Sequence, residues 1–253
     1  VTDPRELRIH AFDGGLVRAT GTDAAEFTDD GAYDGRTFEL PVPWFLVRHP
    51  DGDLVWDTGM SRTRPDLGDW ATAGPDLVDQ LAAVRAGPAD IRFLALSHGH
   101  WDHSGNAGLF ASATWIVNPA ERAVMFDAES RASAAMDDYG ALEGATIKLI
   151  SDDHDVFGDG SVRIIQAPGH TAGHTVLLVR LPEAGAILLS GDLWHLVESR
   201  RFRRQPLFNT DRAQTLASMD KVEALVAAEG ARVVIQHDPD DYAWLRGFPE
   251  GLR

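Results

Sequence analysis

The sequence predicts a single mixed domain of the α+β class, spanning residues 1–253. Three observations carry this. Ten short apolar runs, often β-branched, are bounded by Gly, Pro, Asp or Asn, as strands are. Three longer stretches carry helix caps and stops. No Pro- or Ser-rich linker, fixed-period repeat or low-complexity tract divides the 253 residues, a length that can bury a sizeable core.

The strand-like runs are LVRAT (16–20), WFLVRH (44–49), DLVWD (53–57), IRFLALS (91–97), ATWIVN (113–118), TIKLI (146–150), SVRIIQA (161–167), HTVLLVRL (174–181), GAILLSG (185–191) and ARVVIQ (231–236). LVRAT and SVRIIQA partly alternate, as half-buried strands do, whereas FLALS and AILLS are almost wholly apolar, which suits strands covered on both faces. The first helix is expected over 75–86, from Pro75 to the residue before Gly87. The second runs from the cap Asn118 and Pro119 to about residue 127. The third covers 211–229. Asp211 caps it, Leu216, Met219, Val222 and Val226 form its apolar stripe, and Gly230 ends it. Residues 21–40 and 198–210 read as long loops, the kind that serve as lids or binding segments. Phe27, Tyr33 and Phe38 are the lid candidates in the first of them.

Composition narrows the function classes. Apolar content of 44% and charged content of 25% are those of an ordinary folded domain. A net charge of −16 disfavours a nucleic-acid partner. With no cysteine, disulfides, thiolate metal sites and cysteine nucleophiles are all excluded. No apolar run reaches the ~18 residues of a membrane span, and VTDPRELRIHAF lacks the pattern of a secretory leader. A cytoplasmic location is the expectation.

Residues 97–106, SHGHWDHSGN, place His98, His100, Asp102 and His103 within six positions. Converging imidazoles and carboxylates are what zinc and similar metals require. Four strand-like runs also end in such groups: IRFLALS at His98, SVRIIQAPG at His170, AILLSG at Asp192 and ARVVIQ at His237. Strand ends on one side of a sheet can face a common spot. His98, His100 and His170 then hold one ion, and Asp102, His103 and His237 hold a second. Asp192 bridges them, with one oxygen for each. Two ions about 3.5–4 Å apart lower the pKa of a shared water to around 7. With no sulfur ligand, two divalent ions per chain are expected, zinc first and iron, manganese or cobalt as substitutes.

HxHxDH after an apolar strand, then a GH loop, a GD loop and a late His, resembles the metallo-β-lactamase superfamily of hydrolases over nearly the whole chain. LVWDTGM (54–60) is similar to that family's early strand and D-T-G turn. The resemblance implies an αββα sandwich, two mixed sheets flanked by helices, with the site at one edge between the sheets. IQHDPDD (235–241) and the stretch 40–60 most resemble the acyl-homoserine lactonase group. This implies opening of a lactone ring by a hydroxide bridging two metals, with an apolar-tailed lactone as the small-molecule partner. That group carries a Tyr three positions after the bridging Asp, thought to contact substrate; here the position is His195. His195 is therefore a candidate catalytic hydrogen-bond and proton donor, alongside Asp102. The alternatives are hydrolysis of another lactone or of a thioester, as in glyoxalase II, and a mono-iron persulfide dioxygenase-like reaction. A non-catalytic relative is expected to have lost ligands, and all seven are present.

Other residues carry two readings each. His174 is a supporting or structural residue, or a spare ligand. Asp57 orients a ligand imidazole or serves a turn. Trp101 and Trp194 line a cleft for an acyl chain or pack in the core. The arginines of ESRRFRRQ (198–205) are a solvated surface or grip an anionic group. His10, His49 and His154 have no evident partners. A homodimer is expected only from its frequency among soluble enzymes.

Overall fold

The computed structural model describes residues 6–64, 68–247 and 250–253. Its strands are β1 (Arg8–Thr20), β2 (Thr37–Arg48), β3 (Asp53–Trp56), β4 (Ala71–Ala73), β5 (Ile91–Ala95), β6 (Thr114–Val117), β7 (Thr146–Leu149), β8 (His154–Asp155), β9 (Val162–Gln166), β10 (Thr175–Leu181), β11 (Gly185–Leu189) and β12 (Arg232–Val234). The α-helices are α1 (Thr22–Ala25), α2 (Leu77–Ala83), α3 (Trp101–Ser104), α4 (Pro119–Met125), α5 (Ala128–Arg131), α6 (Ala135–Tyr139), α7 (Val197–Phe202), α8 (Arg212–Glu229) and α9 (Pro239–Arg246). One sheet has seven strands in the order β4-β1-β2-β3-β5-β6-β7, the other five in the order β12-β11-β10-β9-β8. Both are mixed: β3, β5, β6 and β7 pair in parallel, as do β11 and β12, while β1–β2 and β9–β10–β11 are antiparallel.

The period-two alternation of strands explains the layers. Phe45, Val47 and Trp56 of the first sheet meet Ile164, Leu177, Val179, Ile187 and Leu189 of the second in one buried cluster. Their neighbours Trp44, Leu46, Val55 and Leu94 point the other way, onto Leu77 and Leu81 of α2 and Met125 of α4. On the far side, Ile165, Val176, Leu178 and Leu188 pack against Met219 and Val222 of α8. Strands buried on both faces read as near-continuous apolar runs, as FLALS and AILLS do. The result is the αββα sandwich.

All three expected helices form, the first shorter than 75–86: it runs Leu77–Ala83, opened by Asp76 rather than Pro75 and closed before Gly87. Asp76 caps α2 by accepting from Val78 N and Asp79 N, and Asn118 caps α4 by accepting from Ala120 N. Asp211 caps α8 by accepting from Gln214 N, and Gly230 ends it in the left-handed region at φ 61°. The expected loops are more structured than the sequence suggests. Residues 21–40 contain α1 and the start of β2, and residues 198–210 contain most of α7. β1 is much longer than LVRAT, because a register shift between Asp13 and Leu16 lets it continue through DGG. Among the described residues no helix is long and apolar enough to cross a membrane. The first five residues, part of the stretch read for a leader, lie outside the described set.

Candidate metal centre

The ligand candidates sit where strands end. His98 follows β5 of the first sheet; His170, Asp192 and His237 follow β9, β11 and β12 of the second. The cluster thus draws on both sheets and lies at the edge between them, the mouth of the sandwich. After His98 the chain stays extended to His100, then coils into α3, which carries Asp102 and His103.

Two groups of ligand atoms result. Those of His98, His100, His170 and Asp192 lie within 4.8 Å of one another, and so do those of Asp102, His103 and His237. In the first group, His98 Nε2 is 2.8 Å from His100 Nδ1 and 3.2 Å from His170 Nε2, and the latter two are 3.1 Å apart. Nitrogens bound tetrahedrally at 2.0–2.1 Å to one zinc would be about 3.3 Å apart, so this spacing fits a shared ion. In the second group, His103 Nε2 and His237 Nε2 are 3.2 Å apart and lie 3.8 and 3.7 Å from Asp102 Oδ2.

Asp192 joins the groups. Its Oδ2 is 3.3 Å from His170 Nε2 and 3.6 Å from His98 Nε2, while its Oδ1 is 3.1 Å from His103 Nε2 and 3.0 Å from His237 Nε2. Oδ1 is buried and has no hydrogen-bond partner in spite of those short contacts. A buried carboxylate oxygen left without a hydrogen bond beside two imidazole nitrogens is what a cation among them would satisfy. The donor set therefore fits two metal ions sharing Asp192.

The next layer fixes the imidazoles. Asp57, fully buried and held at φ 57°, accepts from His103 Nδ1 at 2.9 Å, Ser97 N at 2.7 Å and Gln236 Nε2 at 2.9 Å. Asp57 thus touches the imidazole of His103 and also sits at a turn with a left-handed backbone. His237 Nδ1 donates to Pro41 O at 2.8 Å, and His170 Nδ1 donates to Asn209 Oδ1 at 2.7 Å. His174 lies outside both groups. Its Nδ1 donates to Ala167 O and its Nε2 accepts from Asp192 N, each at 3.0 Å, so it holds the backbone of the bridging residue.

Charge divides the cluster. Burial keeps His98 well below the ordinary imidazole value and holds His100 and His174 down at about 3. Lowered values favour the neutral ring, the form in which His98 and His100 can ligate and in which His174 Nε2 can accept from Asp192 N. Burial works against charge on His103 too, but the Asp192, Asp102 and Asp57 carboxylates outweigh it and raise His103 well above its ordinary value. Asp192 likewise raises His237 against the effect of burial. Burial alone would raise Asp192, but the surrounding imidazoles, His103 foremost, hold it well below the usual carboxylate range. Burial lowers His195.

A cleft of about 530 Å³ opens onto His100, Asp102, Asp192, His195 and His237. Its apolar wall includes Val17, Phe27, Leu40, Trp70, Trp101 and Phe208. The Phe27 ring meets both His195, at 5.1 Å, and Phe208, at 5.3 Å, edge-on. Trp194 is not part of this wall. Although two residues from Asp192, it turns into the core against Ile165, Leu193 and Val222 and is 1% exposed. Of the lid candidates, Phe27 faces the cleft, whereas Tyr33 and Phe38 are buried with Val17 and Leu40. The arginine run is largely neutralised: Arg200 pairs with Glu223, Arg203 with Asp220, and Arg204 with Asp30 and Glu198. His49 has a partner unseen in the sequence, Asp159 Oδ2 at 3.0 Å.

Sequence reasoning missed Asn209, Gln236 and Ser97 as supporting residues. No spacing rule marks Asn209 and Gln236, because their partners are distant in the chain; Ser97, next to His98 and six residues from His103, touches both rings and was within reach of the sequence.

A sandwich with a paired His/Asp metal cluster at its mouth defines a metallohydrolase of the metallo-beta-lactamase superfamily. The model of that superfamily matches residues 37–237, and the chain belongs to it. Within the superfamily it is 32% identical over 234 residues to the N-acyl homoserine lactonase AttM of Rhizobium johnstonii, and 33% identical to AttM of Agrobacterium fabrum; both alignments cover 86% of this chain and 89% of the relative. The fold is shared with a solved quorum-quenching N-acyl homoserine lactone hydrolase at a TM-score of 0.82 and 23% identity, over 97% of this chain and 98% of that one. It is also shared with AidC, a dizinc quorum-quenching lactonase, at a TM-score of 0.69 and 18% identity, over 92% and 88% of the two chains.

Proposed function

We propose that residues 1–253 form one hydrolase domain that opens the ring of N-acyl homoserine lactones, with His98, His100, His170 and Asp192 holding one ion and Asp102, His103, His237 and Asp192 the other. The observation that carries this is the split of the Asp192 oxygens between two imidazole groups beside an apolar cleft. Relatives at 32–33% identity that are N-acyl homoserine lactonases support the substrate class.

When bound, two divalent ions, proposed to be zinc, supply a Lewis acid for the ester carbonyl and a low-pKa water. The chain supplies the rest. Trp101, Trp70, Phe27 and Phe208 take the acyl tail and exclude water from the ester. His195 Nε2 lies 3.1 Å from Asp192 Oδ2 and lines the cleft. That atom is placed to take up the proton the attacking water gives off and pass it to the ring oxygen as the ester C–O bond breaks. Water adds across that bond, and an N-acyl homoserine carrying one new carboxylate and one new hydroxyl leaves.

Mass spectrometry of the product tests the bond broken. The expected product is the intact N-acyl homoserine. Release of the free fatty acid, or turnover of thioesters with none of lactones, would contradict the proposal.

A further inference from the structure

Glu121 lies on α4, outside both ligand groups, and is 3% exposed. Burying a carboxylate is costly unless hydrogen bonds replace its water, and here three do. Oε1 accepts from Gly99 N at 2.7 Å. Oε2 accepts from Thr171 Oγ1 at 2.7 Å and from Gly173 N at 2.9 Å. Gly99 separates His98 from His100, Thr171 follows His170, and Gly173 precedes His174. Each oxygen of one side chain therefore grips a different ligand loop.

The two loops are shaped to admit it. A Cβ on Gly173 would lie 2.5 Å from Glu121 N and 2.6 Å from Glu121 Cβ, and a Cβ on Gly99 would lie 2.6 Å from Met125 Cγ. The helix is itself fixed. Asn118 caps it while donating to Gln166 Oε1 at 2.7 Å, and Met125 is buried in the outer core. α4 thus works as a rigid block against which the His98–His100 loop and the His170 loop are both registered.

We propose that Glu121 is a positioning residue for the first metal group: its carboxylate sets the separation of those two loops, and so the geometry in which three imidazoles meet one ion. This rests on the reading of that group as a metal site. Glu121→Gln nearly preserves volume but leaves one amide oxygen to serve two loops, with an NH2 facing a donor at the other.

The test titrates metal-free wild type, Glu121→Gln, Thr171→Val and Val124→Ala with Co(II). The readouts are the visible absorption of bound cobalt, affinity against a competing chelator, and the Tm of each metal-free protein. Val124 is on the same helix and 48% exposed, so its variant should match wild type throughout. Wild type should take two ions. Glu121→Gln should bind one of them about 10- to 100-fold more weakly, with a changed cobalt spectrum, and Thr171→Val should shift both readouts in the same direction by less. A Glu121→Gln protein with a lowered Tm but wild-type cobalt affinity and spectrum would overturn the proposal. If Glu121→Gln does not fold, unchanged affinity and spectrum in Thr171→Val would overturn it instead. A wild type that binds no cobalt would overturn the metal-site reading itself, and the proposal with it.

Discussion

Asp102→Ala should turn a two-ion protein into a one-ion protein. The first group has three imidazoles of its own, His98, His100 and His170, with Asp192 Oδ2 beside them. The second has Asp102, His103 and His237, with Asp192 Oδ1 at 3.0–3.1 Å from the two imidazoles. Removing Asp102 leaves that ion two imidazoles and a shared oxygen, while the first group is untouched. Loss of a mere outer-layer partner costs about 10- to 100-fold in metal affinity, or about 1.4–2.8 kcal/mol, and loss of a direct ligand should cost at least that. The fold should survive, because the Asp102 side chain is 13% exposed and His103 stays oriented by Asp57. The assay is metal content after dialysis against buffered zinc, with turnover measured on the same samples. One ion per chain and turnover reduced at least about 100-fold at limiting zinc, partly restored by excess zinc, are expected. Two ions and full turnover would refute the assignment of Asp102 as a ligand the second ion needs.

Three further outcomes follow from the same geometry. His195→Ala should lower kcat about 100-fold with metal content unchanged, because His195 lies outside both ligand groups; an unchanged kcat would remove it from the proton path. In a series of acyl chains, each methylene buried in the cleft should contribute about 0.8 kcal/mol, near fourfold in kcat/KM, until the cleft is full. Phe27→Ala should flatten that series, and a flat series in wild type would put the tail elsewhere. Burial, with the Arg48 and Arg8 cations, holds His10 down at about 4 from 6.5. The unfolded chain therefore binds the extra proton first, and stability present above pH 6.5 is lost as pH falls toward 4, by at most about 3 kcal/mol. In urea unfolding across that range, His10→Gln should show a shallower acid loss than wild type, and equal slopes would contradict the burial argument.

The parts of the fold legible in the sequence are those set by local pattern. The ends of β5 and β11 nearest the site, FLA and ILL, are apolar on both faces, and α8 has its cap, stripe and stop in residues 211–230. β4 (ATA) and β8 (HD) carry no pattern; pairing with β1 and β9 alone makes them strands. The ligand candidates were legible because strand ends gather residues far apart in sequence, and His and Asp there have few structural uses. What surrounds them was not. Trp194 shows that nearness to Asp192 in sequence says nothing of where a side chain points. Asn209 and Glu121 act on His170 and on the ligand loops from 39 and at least 22 residues away, through contacts that only the packed sandwich creates.

The central claim is a metal-dependent opening of an acylated lactone at the Asp192-bridged cluster. Acid release from a short-chain and a long-chain N-acyl homoserine lactone, followed in a pH-stat with zinc-loaded and metal-stripped protein, decides whether this happens. The loaded protein should release acid rapidly, faster for the longer chain, and the stripped protein none until zinc is returned. Release that persists without metal, or silence on both lactones from a protein shown to hold two ions, would contradict it.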